Sequence, residues 1–284
     1  MRKIFLLNII IVISIFCFGC TSPEKTEYYN DITQLEETIE NLEYELESLK
    51  REEEIIKNQI NSLSKQLDDK FTKEEMYQWA HICNRDGMRA NIKLTVEHKK
   101  YFIGIPIDTK SYTVSGVLIK TNKNKLYVLT TSSVLETING YSKKICTVTD
   151  AFNVTYDGTI VTYDTNYNLG LIEISSQHDN LNSVSLASND PKTNDAICNI
   201  YYNNNGPINA MNFTKIKQYV KEGLSFNLIY NEVPLCDSIY GGMSLDINGN
   251  LCGLIIYTYS STSCVSSVPV SQIRSFLNQN GISA

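Results

Sequence analysis

The chain brings three imidazoles, eight thiols and a single indole to any chemistry it could do. Base catalysis near neutral pH asks first for histidine, whose unperturbed pKa lies near 6.5. His98 stands in the charged run Glu97-His98-Lys99-Lys100 and His178 in the polar stretch from Ser175 to Asn182, so both read as solvated surface residues. His81 reads as packing near Trp79. Of the thiols, Cys17 and Cys20 end an apolar amino-terminal run, while Cys83, Cys146, Cys198, Cys236, Cys252 and Cys264 are spread over the remainder. No C-x-x-C pair occurs, which removes the zinc-knuckle pattern, and six cysteines leave about 15 pairings open. Neither a metal nor a cofactor is expected.

Charge narrows the partners. The net charge of -6 is concentrated in residues 21–70, which carry 14 acidic and 6 basic groups, whereas residues 71–284 carry 17 of each. Nucleic-acid binding needs clustered Lys and Arg to displace counterions from phosphates. Without that excess, no nucleic-acid partner is expected.

The elements that must position any site begin after an address. Met1-Arg2-Lys3 precedes the apolar stretch Ile4 to Phe18 and then Gly19-Cys20. The run of about 15 residues falls short of the roughly 20 that a helix needs to cross a bilayer, so a secretory signal fits better than a span. The site after Gly19 resembles the bacterial lipobox. The expectation is a lipoprotein signal over 1–19, lipidation at Cys20, a polar tether over 20–30 and an extracytoplasmic chain held at a bacterial membrane.

Residues 31–70 read as a coiled-coil stalk. Ile32, Ile39, Leu46, Glu53, Ile60 and Leu67 recur every seven residues, with Leu35, Leu42, Leu49, Ile56 and Leu63 between them. A 3.5-residue apolar period over five heptads, free of Gly and Pro, is the coiled-coil pattern. It predicts homo-oligomers and a stalk that lifts the rest of the chain from the membrane. Thr72-Lys73-Glu74-Glu75 has capping-box spacing and opens a packing helix within 71–91, with Met76, Trp79, Ala80 and Cys83 on one face. From about Ile92, short runs of Val, Ile, Tyr and Thr separated by turn residues predict a barrel or sandwich. Helical periodicity returns only at Val270 to Gln279.

Three stretches carry a resemblance. Ser115-Gly116-Val117-Leu118-Ile119 followed by Tyr127 to Leu135 resembles the S-G-F-I-I and L-T-N-A-H-V-V segments of the trypsin-like serine peptidases, most closely their bacterial Htr-type branch. Asp164 to Ile174 is similar to that family's D-x-x-x-D-L-A-V-L-K-I strand. Gly241-Gly242-Met243-Ser244-Leu245 through Gly253-Leu254-Ile255 is similar to its S-G-G-P-L-L-D-x-N-G-x-V-V-G-I. The resemblance covers about 190 residues in the right order and implies a mainly β fold of two six-stranded barrels, expected over 92–180 and 181–284, the second ending in a helix.

Peptide hydrolysis on that fold needs a hydroxyl nucleophile, an imidazole to take its proton and a carboxylate to orient the imidazole. The resemblance puts Ser133 at the imidazole position, Asn168 at the carboxylate position and Tyr240 at the nucleophile position. None can play its part. The glycine that turns a backbone N–H toward the developing oxyanion is replaced by Ser238. The same resemblance implies a disulfide between Cys236 and Cys264 and a peptide-binding strand at Ile255, Ile256, Tyr257 and Thr258. The expected function is therefore that of a membrane-anchored pseudoenzyme that binds a protein or peptide. Two alternatives stand beside it: a divergent peptidase using Ser238 with a displaced histidine, and an architectural envelope lipoprotein oligomerised by its coil.

Overall fold

The computed structural model describes residues 24–66, 72–119, 121, 125–174, 181–203, 209–233, 238–259 and 261–284. Cys20, His178 and Cys236 lie outside the described residues, as does the expected signal. The chain divides into two units, residues 1–55 and 56–284.

Helix α1 runs Glu24–Gln66. In the first unit its described seam residues Leu35, Ile39, Leu42 and Leu46 are exposed, at 46–61%. In the second unit Ile60 is fully buried, and Ile56 packs against the same apolar core. The stalk expected over 31–70 therefore needs correcting at its carboxyl end, where the seam is already committed to the folded body. Among the described residues no helix is long and apolar enough to cross a membrane.

Helix α2 (Lys73–Ile82) starts at the expected capping box. Thr72 Oγ1 accepts from Glu75 N at 3.2 Å, and Glu75 Oε2 accepts from Thr72 N at 2.8 Å. That reciprocal bond holds the Glu75 carboxyl below its ordinary pKa. Met76, Trp79, Ala80 and Cys83 are buried as one face, and the helix continues through a π turn, Cys83–Gly87, into the short helix α3 (Met88–Ala90). Trp79 fixes this assembly to the second barrel. Its ring stands edge-on to Phe213, with centroids 5.0 Å apart, and its Nε1 donates to Asp246 O at 2.8 Å. His81 does not join this packing; it is exposed.

Two closed antiparallel barrels follow. The first comprises β1 (Asn91–Phe102), β2 (Ile105–Ile119), β3 (Leu126–Thr130), β4 (Lys143–Thr149), β5 (Thr155–Asp164) and β6 (Leu169–Ile174), paired in the cyclic order β1-β2-β3-β6-β5-β4. The second comprises β7 (Ala196–Tyr202), β8 (Asn209–Val220), β9 (Leu228–Glu232), β10 (Met243–Leu245), β11 (Leu251–Tyr259) and β12 (Cys264–Pro269) in the order β7-β8-β9-β12-β11-β10. Strand for strand, the two topologies are the same. The two-residue period of strand β1 shows why the sequence closes this way: Ile92, Leu94, Val96 and His98 are buried, while Lys93, Thr95, Glu97 and Lys99 are only partly covered.

The segment between the barrels is stitched to both. Val184 N donates to Leu118 O at 3.0 Å, and Leu251 N donates to Ser185 O at 2.8 Å. Helix α4 (Val270–Gln279) falls where periodicity placed it, burying Val270, Ile273, Phe276 and Leu277. Its first turn is held by the Asp190 carboxylate, which accepts from Ser271 N at 2.8 Å and Ser271 Oγ at 2.6 Å. The interior of the second barrel is not uniformly apolar. Asn199, Asn231, Ser244 and Ser267 are all fully buried, and Ser244 Oγ donates to Asn199 Oδ1 at 2.7 Å.

Two expectations follow. Trp79→Ala should lower stability by about 3–5 kcal/mol in chemical denaturation, since it removes both the ring contact and the indole bond. Tyr156 supplies a pH test: its hydroxyl donates to Asp150 Oδ2 at 2.9 Å, and burial, aided by that carboxylate, pushes its pKa up to about 12. An unfolded tyrosine ionises near 10. The stabilisation is thus complete below pH 10 and is lost as pH rises toward 12. Denaturation across that window should show the loss, and Tyr156→Phe should remove this part of it.

Candidate functional site

The three positions that the resemblance singled out, Ser133, Asn168 and Tyr240, fall on loops that the strands present. Ser133 lies exposed on the 3-10 turn Ser132–Val134 just after β3. Asn168 closes the turn before β6 with a left-handed φ of 51°, a conformation that asparagine tolerates better than most residues. Its side-chain oxygen accepts two hydroxyls, from Thr131 at 2.8 Å and Ser132 at 3.1 Å, and Thr131 Oγ1 is 3.2 Å from Ser133 Oγ. Ser133 and Asn168 are therefore brought together through Thr131. Ser133, Thr131 and Asn168 are neutral, and the Glu136 carboxylate meets the edge of the group at Ser132 Oγ, 3.2 Å away. A carboxamide can orient hydroxyls, but it lacks the charge that would stabilise an imidazolium.

Tyr240 points elsewhere. It is half-buried, and its hydroxyl is 2.9 Å from Thr258 Oγ1 on β11. The loop that carries it is held from the first barrel: Ser115 N donates to Tyr240 O at 2.8 Å and to Ser238 O at 3.1 Å, and Ser115 Oγ donates to Ser238 O at 2.8 Å. Gly241 follows at φ 80°, and a Cβ there would stand 2.0 Å from Ser115 O. No other residue type fits that approach.

Ser238 is fully buried, and its Oγ donates to Tyr202 O at 3.0 Å. This geometry counts against the alternative in which Ser238 attacks, because the hydroxyl is enclosed and already committed. Ile239 is likewise buried, among Tyr201, Val233, Ile255 and Val265. Burial also holds the thiols of Cys146, at about 11, and of Cys198 and Cys252 well above the ordinary range, so none of these three supplies a thiolate nucleophile.

His98 requires a correction. It is 1% exposed rather than solvated, its ring is edge-on to Tyr112, and its Nε2 donates to Val134 O at 3.0 Å. Its acceptor Val134 follows Ser133 in the chain, yet the imidazole itself is enclosed on the inward face of β1. The charged neighbours gave the misleading signal. The alternation from Ile92 onward was the signal that could have found it.

Within the expected peptide-binding strand, Ile255 has both backbone groups occupied, its N–H by Gly242 O and its C=O by Gly241 N, each at 2.8 Å. Ile256 is buried at 2%. Tyr257 and Thr258 are partly exposed and pair on one side with Ser266 and Val265 of β12. Cys264, expected to bridge to Cys236, is a free buried thiol 3.2 Å from Thr262 O. Sequence reasoning gave no role to the hydroxyls of Thr131, Ser132 and Ser115, because hydroxyl residues are common in strands and carry no spacing signature.

A separate pocket of about 370 Å³ opens on the second barrel between residues 188–196 and 246–252. Its carboxylates serve the backbone: Asp246 accepts from Asn248 N and Asn250 N, and Asp195 accepts from Lys192 N. Among the described residues, no group of three His, Cys, Asp or Glu side chains could hold a metal ion.

Removing a buried hydroxyl that bonds a carbonyl should be felt in stability. Ser238→Ala is expected to cost about 1 kcal/mol in urea denaturation, and Tyr240→Phe a similar amount through loss of the Thr258 bond.

No protein-family profile matches the chain, and no curated protein matches it. Solved structures do. An HtrA-type protease, AlgW with a decapeptide, superposes with a TM-score of 0.54 at 16% identity, covering 71% of this chain and 67% of that one. A second AlgW structure, with a tripeptide, gives 0.55 at 17% identity, covering 71% and 62%. Rv3671c from M. tuberculosis H37Rv, in an inactive form, gives 0.52 at 14% identity, covering 70% and 91%. At these identities the likeness is one of fold: two six-stranded antiparallel barrels arranged as in the trypsin-like, HtrA-type proteases.

Proposed function

We propose that this chain is a trypsin-fold homologue without hydrolytic chemistry that acts by binding a protein or peptide. It would be held at an extracytoplasmic membrane surface by lipidated Cys20 and gathered into oligomers by the heptads of residues 32–67. The observation that carries the reading is the commitment of Tyr240 to Thr258, with Ser238 enclosed and a neutral Ser133–Thr131–Asn168 group where proton relay would be needed. Removing single triad members from a serine protease lowers turnover by up to about 10⁶-fold. Three replacements together leave no nucleophile–base pair.

What supports a binding role is the part of the site that survives: a groove-side strand with Tyr257 and Thr258 partly exposed, on loops fixed by the inter-barrel bonds. Extended peptides pair with such edges through the backbone. The exposed row Leu35, Ile39, Leu42 and Leu46 supports self-association, because four large aliphatic side chains along one helical stripe seek a partner.

A fluorophosphonate probe should leave every serine of the full chain unmodified; stoichiometric labelling of any serine would overturn the inactive reading. In sedimentation the chain should run as an oligomer, and Leu42→Glu with Leu46→Glu should convert it to monomer without loss of the barrels' folded circular-dichroism signal.

A further inference from the structure

The hairpin joining β1 to β2 is an exposed apolar finger. Every residue from Phe102 to Tyr112 is exposed, and the large side chains Phe102, Ile103, Ile105 and Ile107 stand at 64, 84, 65 and 55%. Register gives their arrangement. Phe102 opposes Ile105 and Tyr101 opposes Pro106, so these pairs fall on opposite faces of the ribbon, and Ile103 forms the apex. The tip is thus apolar on both faces and at its end. Ile103 also sits at φ 50°, a conformation that a β-branched residue adopts only at a cost. The free chain carries both the strain and the exposure with no packing to offset them.

Behind the tip the chemistry changes sign. Lys99 and Lys100 lie on β1, Lys110 on β2 and Lys143 on β4, where Lys99 pairs with Lys143, whereas Lys144, beside buried His98, donates to Leu135 O and Thr137 Oγ1 and stays with the body. Two carboxylates accompany the collar lysines Lys99, Lys100, Lys110 and Lys143. Glu97 is engaged by Lys99 at 3.0 Å, and Asp108 accepts the Tyr141 hydroxyl. The lysine collar begins about 10 Å from the apex, at roughly 3.3 Å per residue.

We infer that the β1–β2 hairpin is a membrane-inserting finger whose partner is an anionic phospholipid bilayer. A protein partner covers one face of a ribbon, whereas this tip is apolar all round, which suits a medium that surrounds it. The lysines then meet lipid phosphates while their stems and Tyr101 lie at the boundary, the arrangement by which interfacial elements bind acidic membranes. β1–β2 pairing satisfies much of the ribbon backbone, and the unpaired outer edges limit insertion to the residues nearest the apex. The finger does not depend on lipidation at Cys20, and it stands apart from the groove at Tyr240.

The test places an indole at the tip of the full chain, Ile103→Trp, and mixes it with vesicles containing phosphatidylglycerol acyl-brominated next to the glycerol-proximal methylenes. Trp79 is 1% exposed and hydrogen-bonded inside the body, so it stays shielded from the bromines. The added indole should be quenched and blue-shifted on anionic vesicles and not on phosphatidylcholine alone. Lys100→Glu with Lys143→Glu should weaken that quenching about tenfold or more in lipid titration, and Phe102→Ser with Ile105→Ser, placed in the Ile103→Trp chain, should do the same. An indole that stays unquenched while the chain is vesicle-bound, or quenching indifferent to lipid charge, would overturn the inference. So would Ile103→Asp dissolving the oligomer, which would make the tip a contact between copies. Unchanged Trp79 emission in Phe102→Ser with Ile105→Ser, made without the added indole, confirms that the body is folded.

Discussion

Ser115 is the point at which the barrels are fastened, and the candidate site exists because of it. Its N–H reaches the carbonyls of Ser238 and Tyr240, its hydroxyl bridges Ser238 O and Tyr202 N, and its own carbonyl accepts from Thr130 Oγ1. Ser115, Ser238 and Thr130 are fully buried, where an unmet polar group would be costly. One residue of the first barrel therefore dictates the path of the loop that carries position 240. The close approach leaves room for glycine alone at 241. A second tie, Asn91 Nδ2 to Asn209 Oδ1 at 2.7 Å, spans the same boundary without touching the site.

This separates the requirements of the scaffold from those of catalysis. The loop geometry rests on backbone bonds and on Gly241-Gly242. The side chains at 133, 168 and 240 make hydrogen bonds of their own, separate from the backbone bonds that hold the loop. Asn168 Oδ1 collects two hydroxyl donors in the turn before β6, so hydrogen bonds to a carboxamide tie this corner. A shape preserved by buried bonds is compatible with many functions, and the chemistry of the replaced residues decides among them.

Much of this was legible in the residues because strong local rules coincide with the tertiary outcome. The capping box at Thr72 and Glu75, the apolar face of Val270 to Gln279 and the glycine pair at 241–242 each have a spacing that only one local structure satisfies. His98 was misread because charge in its neighbours outweighed a period of two, and a buried imidazole between lysines is a tertiary fact. His81 was misread in the other direction, since proximity to Trp79 in sequence says nothing about which side of a helix faces the core. The end of the stalk was hidden for a related reason. Ile56 and Ile60 fit a coiled-coil seam and a domain core equally well, and only the fold reveals which surface claims them.

The Tyr240–Thr258 contact bears on how a ligand could use the groove. At Ile255 the edge of β11 is closed by Gly241 and Gly242, so an extended peptide must begin its pairing further along, beside Tyr257 and Thr258. There it meets the hydroxyl contact between Tyr240 and Thr258. Displacing a single neutral hydrogen bond costs about 1 kcal/mol, roughly fivefold in a binding constant. That is too little to exclude a ligand and enough to favour one that replaces the bond. A peptide offering a hydroxyl or carboxylate to Thr258 would recover what it displaces, whereas an apolar side chain would not. On the proposed binding role, the Tyr240–Thr258 bond would favour polar ligands at that place.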